Sequence, residues 1–460
     1  MRLWDESIFA TSAIEMEHNG NYLVQYRLHG EKSSKPPLMN WLQILSMKIF
    51  GYNELAIRLP SALFALFTAL LIVLYLTVEF NMPILGYFSG MVLITSGGFI
   101  DWHVARTGDH DSALIFFLTS SLLFFYKFIH DDHRKKLSIG ITTSSLIAAV
   151  LTKSASGLFL LPAMFLYLIQ QKKFKEKIIL KYGFISILIF NVVIGSYYVL
   201  LEIKYPGHMQ TLFTTLTSRY FSALQGHSHD FLYYLSHLKN WQFTPWIYFI
   251  PISCLTIFLN SFDKLKQLGI LILISTISYF LIISFAKTKL VWYIAPVFPL
   301  ASILVGIALY GLYIGITNFI GHLNTPVRYA FLVLFLFTFF FKPYSDVVSK
   351  VNSQIDNDPE TQFGYFMKKL QNSKPDLKEY SITEPYVWNY HIHFYMGVLN
   401  HKYGYIISLK NKVTDLHTGE ITMACNNEVI EKIYENWALE QVDDFKGCIL
   451  VRIKIKKVLN

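Results

Sequence analysis

Long stretches of the chain are apolar on every side of the helix they would form, with no wet face, as in segments surrounded by hydrocarbon. The first runs from Ala56 to Val78, "AIRLPSALFALFTALLIVLYLTV", and it meets the about 20 residues that a bilayer-crossing helix needs. Similar runs follow near 82–100, 111–129, 137–151, 155–170, 180–201, 241–260, 268–286, 291–316 and 328–342. The runs at 137–151 and 155–170 are separated only by the polar "TKSAS", so they read as two spans or as one broken, re-entrant pair. About ten spans are predicted between residues 56 and 342.

The flanks follow other patterns. In "ESIFATSAIEMEHN", Ile8, Phe9, Ala13 (or Ser12) and Met16 recur at helical spacing and Gly20 stops the run, which predicts an amphipathic helix lying on the membrane surface. "KPPLMNWLQILSMKIFG" repeats the device, with prolines at its start, an apolar face through Leu38, Trp41, Leu42, Leu45 and Ile49, and Gly51 at its end. After the last span the composition turns polar, from Ser349 to Asn460. There "EYSITEPY", "YGYIISLKN" and "GCILVRIKIKK" read as strands, and "TQFGYFMKKLQ" and "NNEVIEKIYENWAL" as helices, so a small α/β domain is expected. The expected domains are 1–55, 56–342 and 343–460.

Composition agrees with a polytopic membrane protein: 53% of the 460 residues are hydrophobic and only 15% are charged, against about a quarter in soluble chains. The net charge of +9 is no nucleic-acid footprint, because much of the Lys and Arg lies in short clusters such as "DDHRKK", "QQKKFKEK" and "SFDKLKQL". Those clusters fall on alternate loops, which the positive-inside rule assigns to the cytoplasm. Residues 1–55, the "DWHVARTGDH" loop, "TKSAS", the 202–240 loop, "AKTKL" and everything after Phe341 then face outward. Residues 1–55 hold no apolar run long enough for a signal peptide, so a spanning helix is expected before Met1, in a longer reading frame or lost from this chain. Cys254, Cys425 and Cys448 have no metal-ligand spacing; Cys425 and Cys448 form one disulfide if they lie outside the membrane, or stay as two buried thiols.

The candidate chemistry sits on the outward side. Asp5 and Glu6 precede the first surface helix, and taken alone read first as a helix cap. A second acidic cluster, Asp109 and Asp111, heads a span on the same side, and carboxylates meeting there supply a general base and its support or a metal ligand. Lys35, Arg58, Arg106, Lys153, Arg219, Lys287 and Lys289 put cations where positive-inside statistics disfavour them, which suits an anionic ligand such as a lipid phosphate. Tyr293 and Trp292 fit an aromatic belt equally well. His227, His229, Asp230 and His237 match no strong metal signature and give only weak zinc candidates in His227 and His229. There is no Walker motif, GxGxxG turn or nucleophile elbow.

Taken in order, these motifs resemble the GT-C glycosyltransferases of the protein mannosyltransferase and aminoarabinose transferase (ArnT-like) group. "WDES" resembles the group's Asp-Glu pair, and Lys35, Pro36 and Pro37 its Lys-Pro-Pro segment leading to Asn53, Glu54, Arg58, Leu59, Pro60 and Ser61. "ARTGDHDSALIFFL", "LTKSASGLFLLP" and "KTKLVWYIAPVFP" are similar to its later Arg-Thr-Asp, LTKGP and Lys-x-x-x-Tyr-x-x-Pro segments. Ile8 and Ser34 stand where many ArnT-like members carry Arg and Glu. The resemblance implies an all-α GT-C membrane domain with about ten spans and two interfacial helices, followed by the small extracytoplasmic α/β domain. It implies an inverting glycosyltransferase of the cytoplasmic membrane that moves a sugar from a polyprenyl-phosphate donor to lipid A, another glycan or protein, with a divalent metal optional. Asp5 maps onto the catalytic carboxylate and Asp111 onto the second Asp, with Glu6 and Asp109 as further acids; Lys35, with Arg58, Arg106, Arg219, Lys287, Lys289 and Tyr293, would surround the donor phosphate. A polyprenyl-lipid flippase and a non-catalytic envelope subunit are the other classes that fit the same residues.

Overall fold

A computed structural model describes residues 5–26, 33, 35–259, 262–320, 325–353, 359–385 and 389–457. It divides into two compact units, one made of Met1–Ser33, Asn40–Ile57 and Ile355–Asn460, the other of Ser34–Met39 and Arg58–Gln354. The second unit is the membrane domain. Among the described residues, seven helices are long and apolar enough to cross a bilayer: Glu54–Phe80, Asp111–His130, Lys135–Leu158, Lys177–Lys204, Asp263–Phe285, Val297–Ile320 and Pro326–Asn352. The pair Tyr233–Gln242 and Trp246–Leu259, bent by 112°, forms a broken span or a re-entrant loop. The predicted runs at 82–100 and 155–170 became the shorter helices Pro83–Ile94 and Leu161–Gln170, the second entered through a tight turn at Ser154–Leu158. The last span runs on through Pro343 to Ser353, so the boundary expected at 343 falls inside a helix.

The helices Glu54–Phe80 and Asp111–His130 run in the same direction. At their beginnings Ser61 Oγ donates to the Asp109 carbonyl at 2.8 Å; near their ends Lys127 pairs with Glu79. At that second end Tyr126 donates to the Lys264 carbonyl at 2.6 Å and His130 bonds the Tyr167 hydroxyl at 2.7 Å. Polar groups at both ends are thus closed on protein partners, as a low-dielectric surrounding requires. Between the ends, packing is set by small residues: a Cβ on Gly306 would lie 3.0 Å from the Ser89 Cα, which is why Val297–Ile320 and Pro83–Ile94 pack face to face.

The first unit joins both termini of the chain around a sheet. Its strands are β1 (Glu379–Thr383), β2 (Ile406–Lys410), β3 (Ile421–Ala424), β4 (Trp437–Phe445) and β5 (Cys448–Lys456), in the order β2-β1-β3-β5-β4. β1 is parallel to β2 and β3, while β5 is antiparallel to β3 and β4. Lys446 and Gly447, both at positive φ, make the two-residue turn between β4 and β5. Cys425, just after β3, is disulfide-bonded to Cys448 at the start of β5, the first of the two alternatives left open by the sequence.

Against this sheet the expected segments 1–55 and 343–460 share one core. Ala10, Ala13, Ile14 and Met16 of the Asp5–His18 helix are buried with Phe366, Ile392, Phe394 and Met423. The Tyr390–Tyr403 helix accepts this helix closely at Gly397, where a Cβ would lie 3.0 Å from Ile14 Cγ2. Thr11 Oγ1 donates to the Tyr390 carbonyl at 3.1 Å, and the rings of His18 and His401 stack at 3.6 Å. The Leu38–Phe50 helix buries Asn40, Gln43, Ile44 and Met47 and leaves Leu45 and Ile49 exposed at 55% and 64%. That exposed apolar edge suits a helix resting on a membrane surface.

Two predictions follow from this packing. Gly306→Val forces a side chain onto the Ser89 backbone and should destabilise the solubilised protein by about 1–3 kcal/mol, read as a lowered Tm; an unchanged Tm would refute the close approach. His391 is 5% exposed, and burial pushes its imidazole down to about 4, whereas an unfolded His titrates near 6.5. The unfolded chain therefore binds more protons in between, so stability is whole above about pH 6.5 and falls as the pH drops toward 4, by about 3 kcal/mol in all. His391→Gln should flatten that acid loss of Tm, and an equal slope in both proteins would contradict it.

Candidate active site

Asp111 opens a spanning helix, and Lys153 closes the next one, Lys135–Lys153. The two helices are a short hairpin, so their open ends lie side by side, and Lys153 Nζ meets Asp111 Oδ1 at 2.6 Å with both side chains largely buried. The lysine is aimed by the turn after it. Ser154 takes a positive φ of 47°, which a non-glycine residue adopts at some cost, and Gly157 returns so close that a Cβ would lie 2.5 Å from the Val150 amide nitrogen. "LTKSASG" is therefore a reversal that only glycine can close.

Lys153 also lies over the Tyr293 ring, 5.5 Å from its centre, and the Tyr293 hydroxyl receives Arg219 Nη1 at 3.4 Å. Carboxylate, ammonium, phenol and guanidinium thus line up from four separate stretches of sequence. The "KTKL" segment that precedes Tyr293 is tied to the 219–228 loop by backbone bonds: Lys287 N to Tyr220 O at 2.9 Å, Thr288 N to Arg219 O at 3.1 Å and Lys289 N to His227 O at 3.0 Å. This pairing is what brings Arg219 up to the tyrosine.

Beside this line, the 101–110 loop builds a second acidic centre. Thr107 Oγ1 accepts the His103 backbone N–H at 2.8 Å and donates to Asp109. His103 Nδ1 lies 3.4 Å from Asp109 Oδ1, with its ring stacked on Trp292 at 3.7 Å. His103 also holds a left-handed φ of 66°. Because Ser61 Oγ fixes the Asp109 carbonyl, the "RLPS" stretch has a physical task in placing this loop. An imidazole nitrogen and a carboxylate oxygen at this spacing are the donor types a divalent cation takes.

Cations crowd the same end of the unit. His110, 1% exposed, is held well below the ordinary histidine range by burial and then by the charges of Lys35 and Lys153. Burial and the neighbouring Arg58 lower the Arg106 guanidinium against the pull of Asp101; Arg106 Nη2 donates to the Val351 carbonyl at 3.4 Å. Lys350 bonds Asp101 at 2.8 Å and lies 3.7 Å above the Trp241 ring.

Of the residues singled out from the sequence, Lys35, Arg58, Arg106, Asp109, Asp111, Lys153, Arg219 and Tyr293 are linked through these contacts and charges in one unit. Asp5 and Glu6 fill the first turn of the Asp5–His18 helix in the other unit, Asp5 half-buried and Glu6 2% exposed. Lys289 is buried and donates to the Ala286 carbonyl at 2.6 Å, and Lys287 is exposed. His227 and His229 are exposed, His229 stacking on Tyr233 at 4.1 Å; neither joins a group of three ligand-bearing side chains among the described residues. His103 and the Trp292 stack escaped the sequence reading, since a histidine in a loop has no periodicity to mark it.

A family model described as dolichyl-phosphate-mannose-protein mannosyltransferase matches residues 34–195, which hold Lys35, Arg58, Asp109, Asp111 and Lys153. The crystal structure of ArnT from Cupriavidus metallidurans bound to undecaprenyl phosphate superposes with a TM-score of 0.72 at 16% identity, covering 97% of this chain and 93% of that one. The chain has the ArnT fold, and its residues 34–195 match the mannosyltransferase family model. Among relatives by sequence, an uncharacterised protein of Aquifex aeolicus (strain VF5) is 29% identical over 306 residues, 65% of this chain and 58% of that protein. An undecaprenyl phosphate-alpha-4-amino-4-deoxy-L-arabinose arabinosyl transferase 2 of Proteus mirabilis (strain HI4320) is 25% identical over 309 residues, 66% of this chain and 55% of its own length. These alignments span a little over half the length of the two relatives.

The ion pair gives a test of the site's construction. Lys153→Met leaves the Asp111 carboxylate buried without its cation and should cost about 3–5 kcal/mol. Adding Asp111→Asn should recover part of the loss, seen as a coupling energy in a double-mutant cycle of Tm values. Strict additivity of the two substitutions would show that the pair does not interact.

Proposed function

We propose that the protein is an integral-membrane, inverting glycosyltransferase that moves a sugar from a polyprenyl-phosphate donor to an envelope acceptor on the extracytoplasmic face of the cytoplasmic membrane. The observation that carries this reading is the agreement of fold with ArnT along nearly the whole chain, TM-score 0.72 over 97% of its residues. The outward assignment of the first unit has its own support, since a Cys425–Cys448 disulfide belongs in an oxidising compartment.

In this reading the acceptor nucleophile attacks the anomeric carbon opposite the phosphate, the sugar–phosphate C–O bond breaks, and polyprenyl phosphate leaves. The leaving group gains negative charge as the bond breaks, so fixed cations are the groups that lower the barrier. Lys35, Arg58, Arg106 and Arg219 serve that purpose, with Tyr293 orienting Arg219 and Lys153. Lys153 is neutralised by Asp111, which keeps the site from holding the phosphate too tightly in the ground state. Asp5 takes the acceptor proton, with Glu6 beside it, while Asp109 and Asp111 set the local field. A divalent ion, if bound, would use donors of the kind His103 and Asp109 provide and would add charge stabilisation. The acceptor is a lipid, a glycan or a protein of the envelope, with lipid A among them.

Asp5→Asn should reduce transfer from a labelled polyprenyl-phosphate sugar in membranes by about 100-fold or more, the usual worth of a positioned base. Lys35→Met should lower kcat along with kcat/KM for the donor, as loss of a charge that acts on the leaving phosphate requires. Transfer by the Asp5→Asn protein at the wild-type rate would remove Asp5 from the mechanism.

A further inference from the structure

The Lys177–Lys204 helix carries an amide where a membrane helix has least use for one. Its apolar window is 11% buried within the protein, lower than in any of the other six spans. No charged residue stands between Lys181 and Glu202, and Asn191 sits at the helix's middle, exposed. Asn191 Nδ2 donates to the carbonyl of Ile187 in its own helix at 2.8 Å, which uses one of two N–H groups. The second N–H and the Oδ1 acceptor have no hydrogen bond among the described residues. At the bilayer midplane such groups find no water, and leaving them bare in hydrocarbon is costly.

The surroundings of Asn191 form a stripe. Phe184, Leu188, Asn191 and Gly195 recur at spacings of four, three and four, one face of an α-helix. Phe184 and Leu188 are 68% and 53% exposed, and a Cβ on Gly195 would meet nothing within 4 Å. Ile179, Ile194 and Leu201, the helix's buried residues, lie on a different face. One turn from the amide there is thus an open notch into which a second backbone fits, the arrangement by which membrane helices associate.

The amide also specifies the partner. It is donor and acceptor at once, so its complement is another amide: across a twofold axis the N–H of each meets the Oδ1 of the other, and both are satisfied. A hydroxyl donates and accepts through one atom and does not match the side-by-side N–H and Oδ1 that a second amide presents, and an acid or a base would bring an unpaired charge to the midplane. A self-complementary patch is what a twofold interface requires. We propose that this helix is a self-association surface, pairing with the same helix of a second copy of the chain through Asn191 and the Gly195 notch. The proposal is independent of the chemistry assigned above.

The test uses the full chain in membranes, with the free Cys254 replaced in Cys254→Ser and Leu188→Cys added as a reporter on the stripe. Oxidation should trap a covalent dimer. Asn191→Leu should lower the apparent association constant by about 3- to 30-fold, the range for one interhelical hydrogen bond, whereas Asn191→Gln, which keeps the amide, should retain it. Replacing a lipid-facing amide with leucine removes a polar group from hydrocarbon, so the variant folds, and its Tm verifies this. The proposal is overturned if Leu188→Cys traps no dimer, if the trapped species joins a different polypeptide, or if the yield is indifferent to residue 191.

Discussion

A carboxylate and an ammonium 2.6 Å apart, each largely closed off from solvent, tie the first turn of one spanning helix to the last turn of the next. Neither charge is tolerable there alone, because desolvation of one ion outweighs what a helix end can return. Paired, they fix the ends of the hairpin, and the rest of the centre is arranged around them. Tyr293 lies against the lysine and Arg219 against Tyr293, so each group is held by the one before it. Removing the lysine therefore disturbs more than one contact.

The same economy of partners runs through the neighbouring loop. Asp109 is held through Thr107, His103 and the Ser61 hydroxyl on its carbonyl, and His103 is pinned in turn by Trp292. Two residues at positive φ, His103 and Ser154, carry backbone strain at this end of the unit, as is common where geometry serves chemistry. Strain of this kind persists only when the surroundings over-determine it, which the bonds to Thr107 and the close return at Gly157 do.

Much of the membrane unit was legible because burial in hydrocarbon leaves a coarse mark: each of the ten apolar runs holds a helix or a large part of one. What failed was length, since the runs at 82–100 and 155–170 contain Gly and Ser that break the helix early. In the first unit the strands β1, β2 and β5 were legible from alternation. β3 and β4 were not. Trp437, Ala438 and Leu439 continue the helical pattern of the preceding "NEVIEKIYEN", yet the helix stops at Asn436 and they begin β4, paired with β5. Tertiary pairing overrode local pattern there. In the site, Asp111 and Lys153 were each visible as charges at span ends, but their contact was not, because pairing across a hairpin depends on where each helix stops. The shared core of residues 1–55 with the carboxyl-terminal segment was also hidden, as no local pattern reports a partner more than 300 residues away.

The hairpin Asp111–Lys153 has a bearing on how the chain sits in the bilayer. Its helices are joined by only four residues, Asp131–Arg134, so Asp111 and Lys153 stand at the same end of the hairpin. A lone charge on either helix end would be costly beside hydrocarbon, and the pair presents a compact dipole there instead. The contact that organises the site thereby also lowers the cost of seating these two helices in the bilayer.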